Sequence, residues 1–314
     1  MNVNDYRPES ITHFQGQAGV LDQVLVALDA AHQDGRSFDH AIMTGGPGLG
    51  KTEIARLISL EMGTDHFEFP AGSIKNVIDL NSILLAATDR AVITFDESHE
   101  LPKSVQTALL IALDKQVVTL QGTRKGSVPV NVPISDFTLL LCTTEEYLVL
   151  QPLRDRMRLN LKFEPYPDDD IVQILLKRSL GLGWDVENTV LDKIARRSRG
   201  VPRLGLRLLQ SSHRVSRSQG QKVISLSNLE RACELEELDH RGLGSVENKY
   251  LQMLLDGPAR LNVIASQLQA PARTVADVIE PYLIRSGLVV KDDQSKRHLT
   301  ADGREHVGIR SSCV

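Results

Sequence analysis

The sequence predicts an α/β protein in three parts, and three observations carry that reading. Over the first half, short apolar runs stopped by glycine or acidic residues alternate with amphipathic helical segments. That is the pattern of a mostly parallel sheet covered on both faces. A glycine-rich loop ending in Lys51-Thr52 joins one such run to a helix. After Phe163 the strand signals give way to helical periodicity, until a β-rich tail closes the chain. The 314 residues suffice for two or three packed cores. The predicted parts are 1–163, 164–241 and 242–314.

The elements follow in order. A polar start, 1–16, precedes a helical pattern from Val20 to about His32. Ala41–Gly46 reads as a buried strand stopped by glycine, and Lys51–Met62 as an amphipathic helix. Ala91–Phe95 is a second buried strand, and Val105–Lys115 a helix. Val117–Val132 has two β-rich arms around Gly122–Gly126 and reads as a hairpin. Asp136–Thr144 is a third buried strand. Asp168–Leu180 opens with three acidic residues suited to a helix N-terminus. Helical patterns continue at 189–199, 203–215 and 226–238, and Gly242 and Gly244 mark a linker. The last part runs helix, turn, helix, helix, then the β-rich 288–300, an order that resembles a winged helix.

Composition narrows the classes. Apolar residues make up 41% and charged residues 24%, ordinary for a soluble globular chain. No apolar run approaches the roughly 20 residues of a membrane span. The first ten residues lack the apolar stretch of an export signal. Cys142, Cys233 and Cys313 are too scattered for a disulfide framework or metal cluster. A cytoplasmic protein is expected, with no membrane partner. Net charge is −4, which argues mildly against simple nucleic-acid coating. The stretch from Arg196 to Lys222 is nevertheless basic and holds no Asp or Glu, whereas Glu234, Glu236 and Glu237 follow closely. Such asymmetry fits subunit contacts or a nearby polyanion, or simply solvated helix faces.

The strongest motif is Gly45-Gly46-Pro47-Gly48-Leu49-Gly50-Lys51-Thr52, a phosphate-binding loop in the required strand–loop–helix setting. Its glycines let successive N–H groups turn inward at the positive end of a helix. Lys51 adds a point charge for the β- and γ-phosphates of ATP. The Thr52 hydroxyl suits Mg2+, a hard cation that prefers oxygen. Glu53, next in the helix, joins the expected nucleotide contacts. About 45 residues on, an apolar strand ends in Asp96-Glu97. Asp96 is expected to hold Mg2+ through water, and Glu97 to orient the attacking water. His99 is expected to pack or face water, with no catalytic role.

Thr143 and Thr144 end the next strand, and Thr144 is the choice for the γ-phosphate or the water. Arg154 and Arg156 lie in Pro152–Met157. An arginine too far from its own nucleotide can stabilise the transition state in a neighbouring subunit. Arg156 is the choice, Arg154 the reserve, with a salt bridge to Asp155 or Glu146 as the plain alternative. Gly200 and Pro202 put Arg203 in the first turn of a helix, where a cation opposes the dipole. A local rule broken in this way hints at function.

Together, the segments Tyr6–Gln17, Gly45–Thr52, Ile93–Leu101, Asp136–Met157, Ser198–Leu209, Lys249–Gly257 and Val278–Val289 resemble the RuvB family of bacterial Holliday-junction branch-migration motors, members of the AAA+ ATPases. The resemblance covers about residues 5–309. It implies a P-loop AAA+ domain, a helical lid and a C-terminal winged helix. It implies a homo-hexameric ring around branched duplex DNA, read without regard to sequence, and a RuvA-like partner docked on the hairpin. By the same resemblance, Arg7 and Pro8 lie near the adenine, Tyr166 flanks the base, and Arg297, with Lys296 beside it, contacts DNA phosphate.

The sequence departs from the family in five places. Glu145 stands where the family has arginine, Met157-Arg158 where it has Phe-Gly, and Glu100 where it has a basic residue. The hairpin tip Gly122-Thr123-Arg124-Lys125-Gly126 is basic, and the wing around Asp292-Asp293 is acidic. A competing reading is therefore an ATP-dependent switch or loader that assembles protein partners. A degenerate nucleotide-binding scaffold fits least, because Lys51, Asp96, Glu97 and Arg156 are all present.

Overall fold

A computed structural model describes residues 3–120 and 128–311; the hairpin tip Gly122–Gly126 and Cys313 lie outside them. The chain divides into two compact units, Met1–Leu182 with Gly200–Arg203, and Gly183–Arg199 with Leu204–Val314.

The first unit is built on a parallel sheet of five strands in the order β2-β3-β6-β1-β7. The expected buried runs are its inner strands: β1 (Ala41–Thr44), β3 (Ala91–Asp96) and β6 (Phe137–Thr143). Every residue of β6 is buried, as a strand covered on both faces requires. The edge strands β2 (His66–Pro70) and β7 (Leu159–Lys162) escape the sequence pattern because they are half-exposed and interrupted by polar residues. Four longer helices cover the sheet, α1 (Ala18–Asp34), α2 (Lys51–Met62), α3 (Val77–Ala86) and α4 (Lys103–Lys115), and α6 (Asp168–Gly181) follows β7 in the same unit. The one-turn α5 (Gln151–Arg154) precedes β7. Helix α3 also escapes the reading, although Asn76 and Asp79 form a capping box that starts it. Ile93, Phe95, Leu139 and Leu141 pack with Leu80, Leu84 and Leu109 in one core. The hairpin arms form as expected, β4 (Val117–Leu120) antiparallel to β5 (Val130–Pro133).

The second unit holds α7 (Asn188–Arg197), most of α8 (Pro202–Ser218) and α9 (Leu226–Leu235). Strands do not vanish here. The two-residue β8 (Asp185–Val186) and β9 (Val223–Ile224) pair in parallel. Trp184 stacks on His213 with ring centroids 3.9 Å apart and planes 8° apart. Then come α10 (Ser245–Met253), β10 (Ala259–Arg260), α11 (Leu261–Leu268) and α12 (Ala272–Thr274). A π turn at Val275–Ile279 carries α12 into α13 (Glu280–Arg285). Strands β11 (Val289–Lys291) and β12 (Lys296–Leu299) form the wing, β10 pairs on the other side of β12, and α14 (Ala301–Ser311) follows. Tyr250, Leu251, Ile264, Leu283 and Leu288 form its core, giving the expected winged helix. Among the described residues no helix is long and apolar enough to cross a membrane.

Candidate nucleotide site

The loop from β1 to α2 is shaped by glycine. Gly48 (φ 79) and Gly50 (φ 101) occupy backbone conformations that side chains rarely adopt. A Cβ at Gly48 would stand 2.8 Å from Arg203 Cβ, and one at Gly50 would stand 2.9 Å from Phe14 Cζ. Gly50 is also the N-cap of α2 and brings no capping side chain, so the helix's first N–H groups remain for an anion. Gly46 and Pro47 are exposed on the loop, and Leu49 is buried beneath it. Lys51 is 5% exposed, and its Nζ donates to the carbonyls of Gly45 at 2.8 Å and Gly46 at 2.9 Å. Burial lowers the Lys51 pKa, while Glu97 and Asp96 pull it upward. Thr52 and Glu53 follow, half-buried, in the first turn.

Strands β3 and β6 lie side by side and deliver their ends to the same edge of the sheet. The Asp96 carboxylate accepts the Glu97 N–H at 3.2 Å. Glu97 has φ 51, a conformation costly for a residue with a side chain. Its Oε2 accepts the Thr144 hydroxyl at 3.2 Å. The Thr143 hydroxyl instead lies 3.1 Å from His99 Nδ1. The preferred Thr144 is therefore the threonine that meets Glu97.

Arg203 reaches the same loop, because its side chain borders the space above Gly48. Tyr166 is buried and donates its hydroxyl to the Leu49 carbonyl at 3.0 Å. Its backbone N–H donates to the Gly200 carbonyl at 2.8 Å. Arg7 is half-exposed and approaches Glu53 at 3.9 Å. The Pro8 carbonyl accepts from Arg56, which pairs with Glu53 at 2.6 Å. The N-terminal segment is thus tied to α2.

Arg156 is exposed after α5 and grips Asp114 of α4 with two bonds, Nε to Oδ1 at 2.6 Å and Nη2 to Oδ2 at 3.1 Å. The sequence gives no sign of this partner. Arg154 pairs with Glu146 at 3.6 Å, the plain alternative considered for it. Arg297 requires a correction. Rather than facing solvent from the wing, it is 5% exposed and forms two bonds to Glu280, at 2.7 and 3.0 Å. Tyr250 donates to the same carboxylate at 2.8 Å. Its Nη1 also donates to the Ser295 carbonyl at 2.7 Å, so the guanidinium is committed inside the wing rather than displayed on its surface. Lys296 beside it is half-buried.

A parallel sheet with a phosphate loop after β1, a carboxylate pair ending β3, a threonine ending β6 and an arginine at the loop defines a P-loop ATPase of the AAA+ type. The chain belongs to the RuvB family. Residues 6–163 match the Holliday junction DNA helicase RuvB P-loop domain, 166–239 the RuvB AAA lid domain, and 240–308 the RuvB C-terminal winged helix domain. RuvB of Granulibacter bethesdensis, a Holliday junction branch migration complex subunit, is 32% identical over 96% of this chain and 86% of that protein. The subunit of the same name from Kosmotoga olearia is 30% identical over 96% of this chain and 90% of its own. A point mutant of Thermotoga maritima RuvB superposes with a TM-score of 0.86 at 28% identity, covering 96% of this chain and 99% of that one.

Proposed function

We propose that this chain is an ATP-driven motor that moves branched duplex DNA, driving Holliday-junction branch migration as a homo-hexameric ring during recombination and repair in the cytoplasm. The observation that carries the reading is the meeting of Lys51, Asp96, Glu97, Thr144 and Arg203 around one phosphate loop. The division into an ATPase domain (1–163), a lid (164–241) and a winged helix (242–314) belongs to the same proposal.

The residues have distinct tasks in this reading. The loop amides and Lys51 hold the phosphates, and Arg203 caps them. Tyr166 flanks the base, with Arg7 and Pro8 at its edge. Glu97 orients the water, with Thr144 fixing one of its oxygens. Arg156 serves the neighbouring subunit's nucleotide. Thr52 and Asp96 are oxygen donors suited to Mg2+, which neutralises charge on the transferred phosphoryl group. Among the described residues no group of three or more His, Cys, Asp or Glu forms a metal cage. DNA is held through its backbone, with Lys296 retained as a contact and Arg297 supporting the wing from within.

The test is ATP hydrolysis and branch migration on a synthetic four-way junction, with and without a RuvA protein. Wild type should hydrolyse and migrate; Glu97→Gln should bind ATP, hydrolyse it poorly and fail to migrate the junction. Normal turnover by Glu97→Gln would remove that residue from catalysis. Hydrolysis without migration under every partner condition would favour a switch that assembles protein partners. The buried Arg297 and the acidic wing residues Asp292 and Asp293 are the observations on that side.

A further inference from the structure

Beside Glu97 runs a chain of polar contacts that the motif residues do not include. His99 sits in the 3-10 turn after β3 with its side chain 15% exposed. Its Nδ1 lies 3.1 Å from Thr143 Oγ1 and 3.4 Å from Glu97 Oε2. Its Nε2 faces Glu145 Oε1 at 3.8 Å. Thr143 Oγ1 also accepts the Glu145 backbone N–H at 3.0 Å, which ties together the two residues that the ring meets after β6. The Glu97 oxygen near His99 is the one that accepts the Thr144 hydroxyl.

Glu97 needs such support. With φ 51 it holds a conformation that its own backbone disfavours, so its contacts decide where the carboxylate points. A carboxylate that must aim at one water loses rate when it swings, because orientation contributes directly to the barrier. The His99 ring supplies a rigid, mostly buried wall with a nitrogen toward Glu97. Glu145 on the far side favours the ring orientation that presents Nδ1, rather than a carbon, to Glu97 and Thr143.

We propose that His99 and Glu145 are positioning residues for ATP hydrolysis: Glu145 orients the His99 ring, and the ring, together with the Thr144 hydroxyl, holds the Glu97 carboxylate in line with the attacking water. The proposal rests on the reading of Glu97 as the group that orients that water.

The test uses the full chain, ATP hydrolysis for kcat and KM, calorimetric ATP binding for affinity, and thermal unfolding to confirm folding. His99→Ala and Glu145→Gln should each lower kcat about tenfold, which corresponds to about 1.4 kcal/mol in the barrier. ATP affinity should stay within twofold. His99→Asn, whose side-chain amide can occupy the place of Nδ1, should recover part of the loss seen with His99→Ala. In a Glu97→Gln background, His99→Ala should cost less than twofold further, since residues acting through one group are not additive. The same tenfold loss in that background would overturn the proposal, as would unaltered kcat in both single variants or a loss confined to ATP affinity. If Glu97→Gln itself turns over normally, the failure lies in the reading of Glu97. If Glu97→Gln is dead while His99→Ala is fully active, it lies in the positioning pair alone.

Discussion

Arg297→Ala separates an internal role from a DNA-contacting one. Glu280 is 1% exposed and accepts from Arg297 at 2.7 and 3.0 Å, from the Tyr250 hydroxyl at 2.8 Å and from Lys291 at 3.2 Å. Burial would raise its pKa, but bonds from Arg297, Tyr250 and Lys291 hold it below the ordinary glutamate value. Its stabilising contribution is therefore present above the unfolded pKa and is lost as pH falls through the folded one. Removing one partner of a buried pair costs about 3–5 kcal/mol. Tyr250 and the half-exposed Lys291 stay behind, which places the expected loss near the lower end, about 3 kcal/mol. Lys296→Ala, which breaks no such pair, should cost under about 0.5 kcal/mol. Amide exchange across 245–300 in the full chain reads the effect locally, which suits a chain of more than one unit. Duplex binding at two salt concentrations should run in parallel. Faster exchange in Arg297→Ala, with a salt slope close to wild type for the folded fraction, is expected. Unchanged exchange with uniformly weaker DNA binding would refute the argument and return Arg297 to the phosphate backbone.

Three further outcomes are expected. Arg156→Ala and Lys51→Ala should each be inactive, yet mixtures should depart from the sum of two dead populations if one active site draws on two subunits; strict additivity at every mixing ratio would count against Arg156 as a shared residue. Asp239→Asn probes a buried acid whose pKa burial would raise but which His306 and the N–H groups of Leu243 and Arg241 bring down to about 2. Against an unfolded value of about 3.9, this contributes roughly 2–3 kcal/mol above pH 4 that is lost between about pH 4 and 2; acid unfolding followed by circular dichroism should show a flatter acid limb in the variant. Gly50→Ala should weaken ATP binding at least tenfold in calorimetry, because φ 101 and the 2.9 Å approach to Phe14 leave no room for a methyl group.

Much of this architecture is legible in the sequence because chemistry constrained it tightly. The loop Gly45–Thr52, the carboxylates closing β3 and the fully buried β6 each satisfy a backbone, charge or burial requirement that few residue types meet. The edge strands β2 and β7 are less legible. One of their sides is open, so His66, Glu68, Asn160 and Lys162 intrude and the apolar signal breaks. The partners of charged residues were least legible. Asp114 lies 42 positions from Arg156 and Glu280 lies 17 from Arg297, and local spacing carries no trace of either pairing. Resemblance alone placed Arg297 at DNA; only the burial of its guanidinium against Glu280 redirects it.

The Trp184–His213 stack has a practical consequence. Trp184 is the chain's single tryptophan, so its emission comes from one place. An imidazole lying flat against the indole is a quencher, and the two rings come from segments nearly thirty positions apart. Separation of these two segments should change that emission. The molecule therefore carries an optical gauge of whether Trp184 still packs on α8, readable without a label.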